Sequence, residues 1–399
     1  MPKTSWPVRT LGEICDLVGG GTPSKDRPEF YGGDIPWATV RDLNVEILRT
    51  TEHSITAEGL MSSSSNVIPA GSVVIATRVG LGKVVIVAQD TAINQDLRGL
   101  VVKNPHEVLA DYIFWWYSSA VHLVVAAGTG ATVQGVKLPF VSGLTIPVPP
   151  IKEQKRIVEL LDAATEHVTE LTACYEQART HANNLFTSAL RDALEGNPDW
   201  PVKTLGEVCA VFDDGDWIES KDQSPSGVRL IQTGNVGDGE FKDRPDKARF
   251  ISKDTFTRLR CTEIFPGDLL VSRLPDPVGR ACMIPETGSK MITAVDCTIM
   301  RPSKDVMLPE FLVAATQTST YSEQVRTKIT GTTRDRISRS NLAEVQVSVP
   351  LLEEQKRIVT RLDSMRAKTS EMVAVYDAKL TAAKNLRQSI LEAAFAGDL

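Results

Sequence analysis

Glu153, Gln154, Lys155, Arg156, Ile157 and Val158 return unchanged as Glu354, Gln355, Lys356, Arg357, Ile358 and Val359, 201 positions later. The same offset holds downstream, where Leu161 and Asp162 match Leu362 and Asp363, Tyr175 matches Tyr376, and Asn184 and Leu185 match Asn385 and Leu386. A run of identities at one fixed offset is the mark of an internal duplication. The two halves also open alike: Trp6, Pro7, Val8, Arg9, Thr10, Leu11, Gly12 and Glu13 stand against Trp200, Pro201, Val202, Lys203, Thr204, Leu205, Gly206 and Glu207. Between these anchors the sequences diverge. The frame is repeated and the middle varies.

Each repeated segment begins a long apolar rhythm. Ile157, Leu161, Ala164, Val168, Leu171, Tyr175, Ala178, Ala182, Leu185 and Ala189 step alternately by four and three, the seam of a coiled coil. Ile358, Leu362, Met365, Thr369, Met372, Tyr376, Lys379, Ala383, Leu386 and Ile390 keep that rhythm with two polar interruptions. Pro149, Pro150 and Pro350 disfavour helix just before each start, and Gly196, Asn197 and Pro198 end the first. A helix of about 45 residues is roughly 65 Å long, too long for one small domain to cover. Each stripe therefore needs a partner, and pairing the two helices supplies it; the chain allows either direction, and antiparallel pairing is expected because it sends the two domains to opposite ends of one rod.

The middles read as mixed and strand-rich. Residues 72–76 and 83–88, then 268–272 and 281–284, are short β-branched runs bounded by turn formers. One helix fits each domain, at 110–125 and 308–316, and the aromatics Tyr112, Phe114, Trp115 and Trp116 on the first are expected in the core. The expected architecture is α+β. It comprises a strand-rich domain at 1–150, a spacer helix at 151–196, a second domain at 197–350 and a spacer helix at 351–399, the helices forming an antiparallel coiled coil.

Composition narrows the function classes. A chain of 399 residues with 42% apolar and 24% charged residues is an ordinary globular one. No apolar stretch reaches membrane-spanning length and no signal-peptide layout opens the chain, so a soluble, cytoplasmic protein with no membrane partner is expected. Cys15, Cys174, Cys209, Cys261, Cys282 and Cys297 lack the close pairs of zinc or redox motifs. The histidines show no paired metal-ligand spacing. The glycine run Gly19, Gly20, Gly21, Thr22, Pro23, Ser24, Lys25 lacks the Gly-Lys-Ser/Thr ending of a phosphate loop and reads as a tight turn or a DNA-facing loop. No catalytic constellation, metal site or cofactor loop emerges.

With a net charge of −6, any nucleic-acid contact must come from local patches. The strongest is Arg326, Lys328, Arg334, Arg336 and Arg339, with Thr330, Gly331, Thr332 and Thr333 among them. Arginine, threonine and glycine amides can grip phosphates, and arginine can also bond a guanine edge. The matching place in the first half holds Thr129, Gly130, Ala131, Thr132, Gln134 and Lys137. Arg78 and Arg273, each following a strand of the same type, and Lys221 in the divergent stretch 213–221 complete the candidate set. The same residues would also serve as ordinary solvated turns.

Over essentially its whole length the sequence resembles the specificity subunits of type I restriction-modification systems. The likeness rests on the duplicated helix starts, the Leu-Gly-Glu openings, Ile35, Pro36 and Trp37, then Asn94, Gln95 and Asp96, and the Gly128 to Gly135 loop. It implies two target-recognition domains that each read one part of a split site on double-stranded DNA. It also implies two docked modification (methyltransferase) subunits, and restriction subunits held through them. S-adenosylmethionine, ATP and Mg would then belong to those partners and no cofactor to this chain. Docking is expected on the exposed helix faces around Glu153, Gln154, Lys155, Arg156, Glu354, Gln355, Lys356 and Arg357. Two other readings stay open on the residues alone: a scaffold spacing two protein-binding domains, and a self-sufficient methyltransferase or nuclease.

Overall fold

A computed structural model describes residues 6–129, 135–195, 197–331 and 334–399. The chain divides into two compact units, Met1–Glu176 with Ala378–Leu399, and Gln177–Asp377. Each long helix thus contributes one part to each unit: the central helix runs Ile151–Leu194 and the terminal helix Leu352–Ala396.

In the first unit, strands Cys15–Gly19, Leu97–Val102, Val73–Ala76, Val84–Val87 and Ile47–Leu48 form one sheet in that order. A second sheet holds His53–Ile55, Tyr31–Ala38, Thr91–Ile93 and Asn66–Ile68, with Tyr31–Ala38 parallel to Thr91–Ile93. The second unit repeats this plan. Cys209–Asp214, Cys297–Pro302, Leu269–Ser272 and Ala281–Met283 form one sheet; Gln223–Ser224, Arg249–Ile251, Val228–Ile231 and Met291–Thr293 form the other, its last pair parallel. The β-branched runs expected at 72–76, 83–88, 268–272 and 281–284 are all strands, since Val and Ile side chains suit a pleated buried surface.

The repeated openings have a local cause. Thr10 accepts from the backbone of Glu13, whose carboxylate returns a bond to the Thr10 backbone, and Thr204 with Glu207 does the same. Each is a reciprocal cap on a four-residue helix. These bonds, led by the one from the threonine backbone, hold both glutamates below the usual carboxylate range. The strand before each cap pairs with the last strand of its domain, Val8–Thr10 with Thr145–Pro147 and Val202–Thr204 with Gln346–Ser348. The start and end of each domain are therefore tied together where the long helix departs.

Two expectations about helices change. The aromatic helix is two, Ala110–Ser119 and Val121–Ala126, because Ala120 leaves helical geometry at ψ 3°. Its counterpart is likewise two, Pro309–Ala315 and Ser319–Thr327, with Thr318 capping the second. The aromatic side chains are core, as expected: Tyr112, Phe114, Trp115 and Trp116 are buried. Trp115 Nε1 donates to Asp162 Oδ1 at 2.8 Å, fixing the central helix to this layer.

Antiparallel pairing of the long helices holds within each unit. In the first, Ile157 and Leu161 share a core with Leu391 and Ala394; in the second, Leu190 and Leu194 share one with Ile358 and Leu362. The seam is not strictly heptad. Leu171, Leu185, Met372 and Leu386 are at least 39% exposed, and the inner stripe passes instead through Thr172, Phe186, Val373 and Arg387. Ile358, Thr369, Leu380 and Leu391 lie eleven residues apart on that stripe. An eleven-residue repeat follows the α-helix's own period more closely than seven does, so the stripe drifts past the heptad positions.

The invariant glutamine of the repeated segment anchors each helix. Gln154 is fully buried; its Nε2 donates to the carbonyls of Glu107 and Pro149, both at 2.8 Å, and its Oε1 accepts from Leu109 N at 2.9 Å. Gln355, equally buried, repeats the set with Val306, Pro350 and Leu308 at 2.8 to 2.9 Å. This corrects the expectation that placed Gln154 and Gln355 on an exposed docking face, because both amides are used inside the fold. Replacing either by Leu strips partners from three backbone groups, one bond buried and two part-buried in each set, at about 1 to 3 kcal/mol for each group left unpaired away from water. Urea denaturation should show a loss of at least about 3 kcal/mol for Gln154→Leu or Gln355→Leu, against about 0.5 kcal/mol or less for the exposed Lys155→Ala. Equal losses would contradict the anchoring role.

Candidate nucleic-acid interface

The parallel strand pair of each unit builds a cleft at its carboxyl end. In the first unit Trp37 pairs with Ala92 and Ala38 with Ile93, after which the chain turns away as residues 39–44 and 94–96. The glycine run crosses this edge. A Cβ on Gly20 would lie 2.2 Å from the Asn94 carbonyl oxygen and 2.3 Å from that of Ile93, so only glycine fits. Gly21 N donates to Ile93 O at 3.0 Å, and Trp37 Nε1 donates to Gly21 O at 3.2 Å. The Thr22 hydroxyl donates to the Gln95 side chain. A cleft of about 740 Å³ results, with Thr22, Lys25, Trp37, Arg41, Gln95 and Asp96 in its lining. The Ile35 to Trp37 and Asn94 to Asp96 segments, far apart in sequence, thus meet around one cavity.

The second unit makes the same backbone arrangement with other side chains. A Cβ on Gly215 would lie 2.3 Å from the Ala294 carbonyl oxygen and 2.5 Å from that of Thr293, while Asp216 N donates to Thr293 O at 2.8 Å. Ala294 N donates to Ile231 O at 2.9 Å, as Asn94 N does to Ala38 O at 3.0 Å. The next turn is closed alike, Thr39 N on Asp42 Oδ2 at 2.7 Å and Gln232 N on Asn235 Oδ1 at 3.0 Å. In this register Trp217, 71% exposed, replaces Thr22, and Val295 replaces Gln95.

The threonine-glycine loops close as matched hairpins. Thr129 and Gly135 exchange two backbone bonds of 3.0 Å, and Thr330 and Arg336 exchange bonds of 2.8 and 3.0 Å. A Cβ on Gly331 would lie 2.2 Å from the Arg334 carbonyl oxygen, at φ 137°, so this turn also requires glycine. Gly130, Thr132, Gln134, Thr332 and Thr333 lie outside the described residues, as does Gly196. Each hairpin is stitched to the sheet by the following residue: Val136 N donates to Thr77 O at 2.9 Å, and Ile337 N to Arg273 O at 3.2 Å.

That stitch corrects one expectation. Arg273 occupies the place of Thr77, not of Arg78, and successive residues of an extended chain face opposite ways. Its side chain is only 5% exposed, sits 3.4 Å from Asp214 and donates to the Val295 carbonyl. Burial lowers its pKa from the arginine value, Asp214 opposing the shift, and Nε has no hydrogen-bond partner among the described residues. Arg273 is an interior strut and not a surface contact. Arg78, one residue further along, is 55% exposed and 3.7 Å from Asp96.

The basic cluster of the second unit is partly neutralised. Lys328 pairs with Glu344 at 3.0 Å, Arg336 with Asp296 at 3.3 Å, and Arg339 with Asp213. Arg326 and Arg334 are exposed and form no ion pair among the described residues. Thr129, Thr330 and Lys137 are exposed, Lys137 capping Leu138–Gly143, and Lys221 pairs at the surface with Glu219 at 2.7 Å. Sequence reasoning reached Lys25 only as the end of a turn or DNA-facing loop, and missed Arg41 in the first cleft and a basic pocket of about 390 Å³ lined by Gln232, Arg244, Lys247 and Arg249 in the second unit. Asp243 and Asp246 interleave with those cations and hide them from a count of charge runs.

At the helix starts, Arg156 donates through Nε and Nη2 to Glu153 at 3.0 and 2.7 Å, and Arg357 donates to Glu354 at 2.7 Å. The Arg156 bond holds the Glu153 carboxyl below its usual range. Lys155 and Lys356 are exposed. All six cysteines are free, no group of His, Cys, Asp and Glu among the described residues could hold a metal, and no helix among them is long and apolar enough to cross a membrane.

Comparison with known proteins agrees with this duplicated plan. The EcoR124I/EcoR124II specificity subunit of Escherichia coli is 37% identical over 173 residues, 41% of this chain and 42% of that one. The MjaIX specificity subunit of Methanocaldococcus jannaschii is 30% identical over 53% of each chain. The chain thus spans about half the length of these two relatives. The EcoKI specificity subunit of Escherichia coli K12 is 22% identical over 99% of this chain and 89% of its own. A chain solved in work on complex assembly of a type I R-M system has the same fold, with TM-score 0.82 and 23% identity over all of both chains. HsdS from Thermoanaerobacter tengcongensis gives 0.59 at 21%, covering 100% and 98%. The family described as "Type I restriction modification DNA specificity domain" matches residues 3–178 and again 197–376, and the chain belongs to that family, carrying its domain twice.

Proposed function

We propose that this chain is the non-catalytic, DNA-reading subunit of a type I restriction-modification complex and recognises an asymmetric, bipartite site on double-stranded DNA. The observation that carries this reading is one backbone frame built twice, with Thr22 and Gln95 lining the cleft of the first and Trp217 and Val295 at the matching positions of the second. Like frames give like grip on the duplex; unlike linings read unlike bases. The DNA-facing set is Arg78, Thr129, Gly130, Thr132, Gln134 and Lys137 in the first domain. In the second it is Lys221, Thr330, Gly331, Thr332, Thr333, Arg334 and Arg336.

Two modification subunits dock on the exposed helix starts through Glu153, Lys155, Arg156, Glu354, Lys356 and Arg357, and restriction subunits join through them. S-adenosylmethionine, ATP and Mg act on those partners, in the cytoplasm. The long helices then set the spacing between the two half-sites.

Methylation mapping in cells carrying this chain and its partner subunits should return two different half-sites around an unread spacer. A continuous site, or none, would sink the proposal. Adding one helical turn to both long helices should lengthen the spacer and leave both half-sites unchanged. Arg334→Ala should weaken binding to every sequence alike and reduce the salt slope by about one, as loss of one phosphate contact does. Charge reversal of Lys155 and Lys356 together should impair assembly with the modification subunits, measured by co-purification. Normal assembly would remove these faces from the docking surface.

A further inference from the structure

The hairpin stitches fix a residue-by-residue match between the units, and one position in that match is filled in two different ways. Thr77 and Arg273 correspond, so Arg78 corresponds to Leu274; Gly135 and Arg336 correspond as the closing residues of their hairpins. The first unit therefore carries Arg on the sheet side and Gly on the hairpin side of this junction, where Arg78 and Gly135 are bridge partners. The second carries a nearly buried Leu274 on the sheet side and Arg on the hairpin side.

Despite this exchange the outcome is alike. Each unit presents one exposed guanidinium beside the same aspartate: Arg78 Nη1 lies 3.7 Å from Asp96 Oδ1, and Arg336 Nη2 lies 3.3 Å from Asp296 Oδ1. The arginines are 55% and 46% exposed. Asp96 and Asp296 are themselves equivalent, since their carbonyls accept from Thr77 N and Arg273 N, both at 2.9 Å. In the first unit Asp96 also lines the cleft described above.

We propose that Arg78 and Arg336 are a single specificity position reached from opposite sides of the junction, each reading one guanine in its own half-site. This rests on the DNA-reading function proposed above. The neighbouring aspartate decides the ligand chemistry. A carboxylate at this distance offsets the guanidinium's charge and repels a phosphate, while the 3.3 to 3.7 Å separations leave the N–H donors of the planar fork for other acceptors. The free edge of that fork suits two neutral acceptors side by side, which a guanine offers as O6 and N7 in the major groove. Arg334, with no carboxylate partner among the described residues, suits the backbone instead.

The test uses the full chain and duplexes bearing the mapped site or single-base changes of it. Arg78→Ala should lower affinity for the intact site roughly tenfold, with a larger or smaller loss set by context. It should also abolish discrimination at one G·C pair and leave the salt slope unchanged. Arg336→Ala should do the same at one G·C pair in the other half-site. Arg78→Lys, which keeps the charge but not the fork, should lose the same discrimination, and it serves if the alanine variant melts early. Moving the arginine across the junction is the decisive arm. A Cβ on Gly135 would meet Arg78 Cγ at 3.2 Å, an atom that Arg78→Ala removes, and the Thr77 carbonyl oxygen at 3.3 Å, which must give by a few tenths of an ångström; the double variant Arg78→Ala with Gly135→Arg, checked to melt as the single variant does, should regain discrimination at that pair. A uniform loss across all sequences with a lower salt slope would mark a phosphate contact and overturn the inference. So would wild-type discrimination in both single variants, or failure of the double variant to regain it. Absence of site-specific binding by the unaltered chain would instead overturn the proposed function.

Discussion

The structure depends first on a buried glutamine amide used three times over. Gln154 and Gln355 take two carbonyls and one amide N–H from the segment that precedes each domain's helix, Ala110–Ser119 or Pro309–Ala315, and from the one that leads out of the domain. The bonds to the Pro149 and Pro350 carbonyls are buried and the others part-buried, and a carbonyl left unpaired away from water is costly. One side chain therefore fixes where the long helix starts, how it leaves the domain, and where the helix pair of Pro309–Ala315 or Ala110–Ser119 begins. The flanking Glu153 and Arg156 are surface partners with a smaller local role. This explains why the identity between the halves peaks at this segment: the glutamine's bonds tolerate no change of length or polarity.

From that anchor the cores follow. Each domain's first and last strands are tied beside the anchored helix, and the apolar stripe of that helix is committed to the same core as the domain's sheet and aromatic helix. Further along the helices the burial thins, with Tyr175 and Tyr376 only partly covered. Lys379 lies 5.2 Å from the Tyr175 ring centroid, and Arg179 pairs with Asp377 at 3.0 Å. There the pairing relies on long amphipathic side chains that cover apolar surface with their stems.

Much of this was legible in the sequence, and the failures have physical reasons. The duplication is a direct repeat, and the four strands, the buried aromatics and the need of the long helices for a partner follow from periodicities that survive in any context. A strict heptad did not survive, because Leu171 and Thr172 compete for the stripe and the helix's own period selects the second. Gln154 looked like surface because polarity was taken for exposure, and nothing local reveals the three backbone groups that wait for it. Arg273 was misread by a single position: alternation along an extended chain turns a one-residue shift into a change from surface to interior. The second basic pocket was hidden by the acids between Arg244, Lys247 and Arg249, which lie apart from it only in three dimensions.

The clefts show why recognition can change while the fold does not. The backbone that shapes them is held largely by backbone and local caps: Gly21 and Asp216 donate to strand-end carbonyls, Thr39 and Gln232 are bonded within their own turns, and Thr129 with Gly135 and Thr330 with Arg336 exchange bonds. The side chains of Thr22 and Gln95 bond to each other and not to that backbone. A lining residue that supports no core and caps no helix can be exchanged at a cost within the range of ordinary surface substitutions, about 0.5 kcal/mol. The arginine beside Asp96 and Asp296 marks the limit of that freedom. Its guanidinium is kept while the residue that supplies it is not, as expected where geometry relative to an outside ligand, and not packing, sets the requirement.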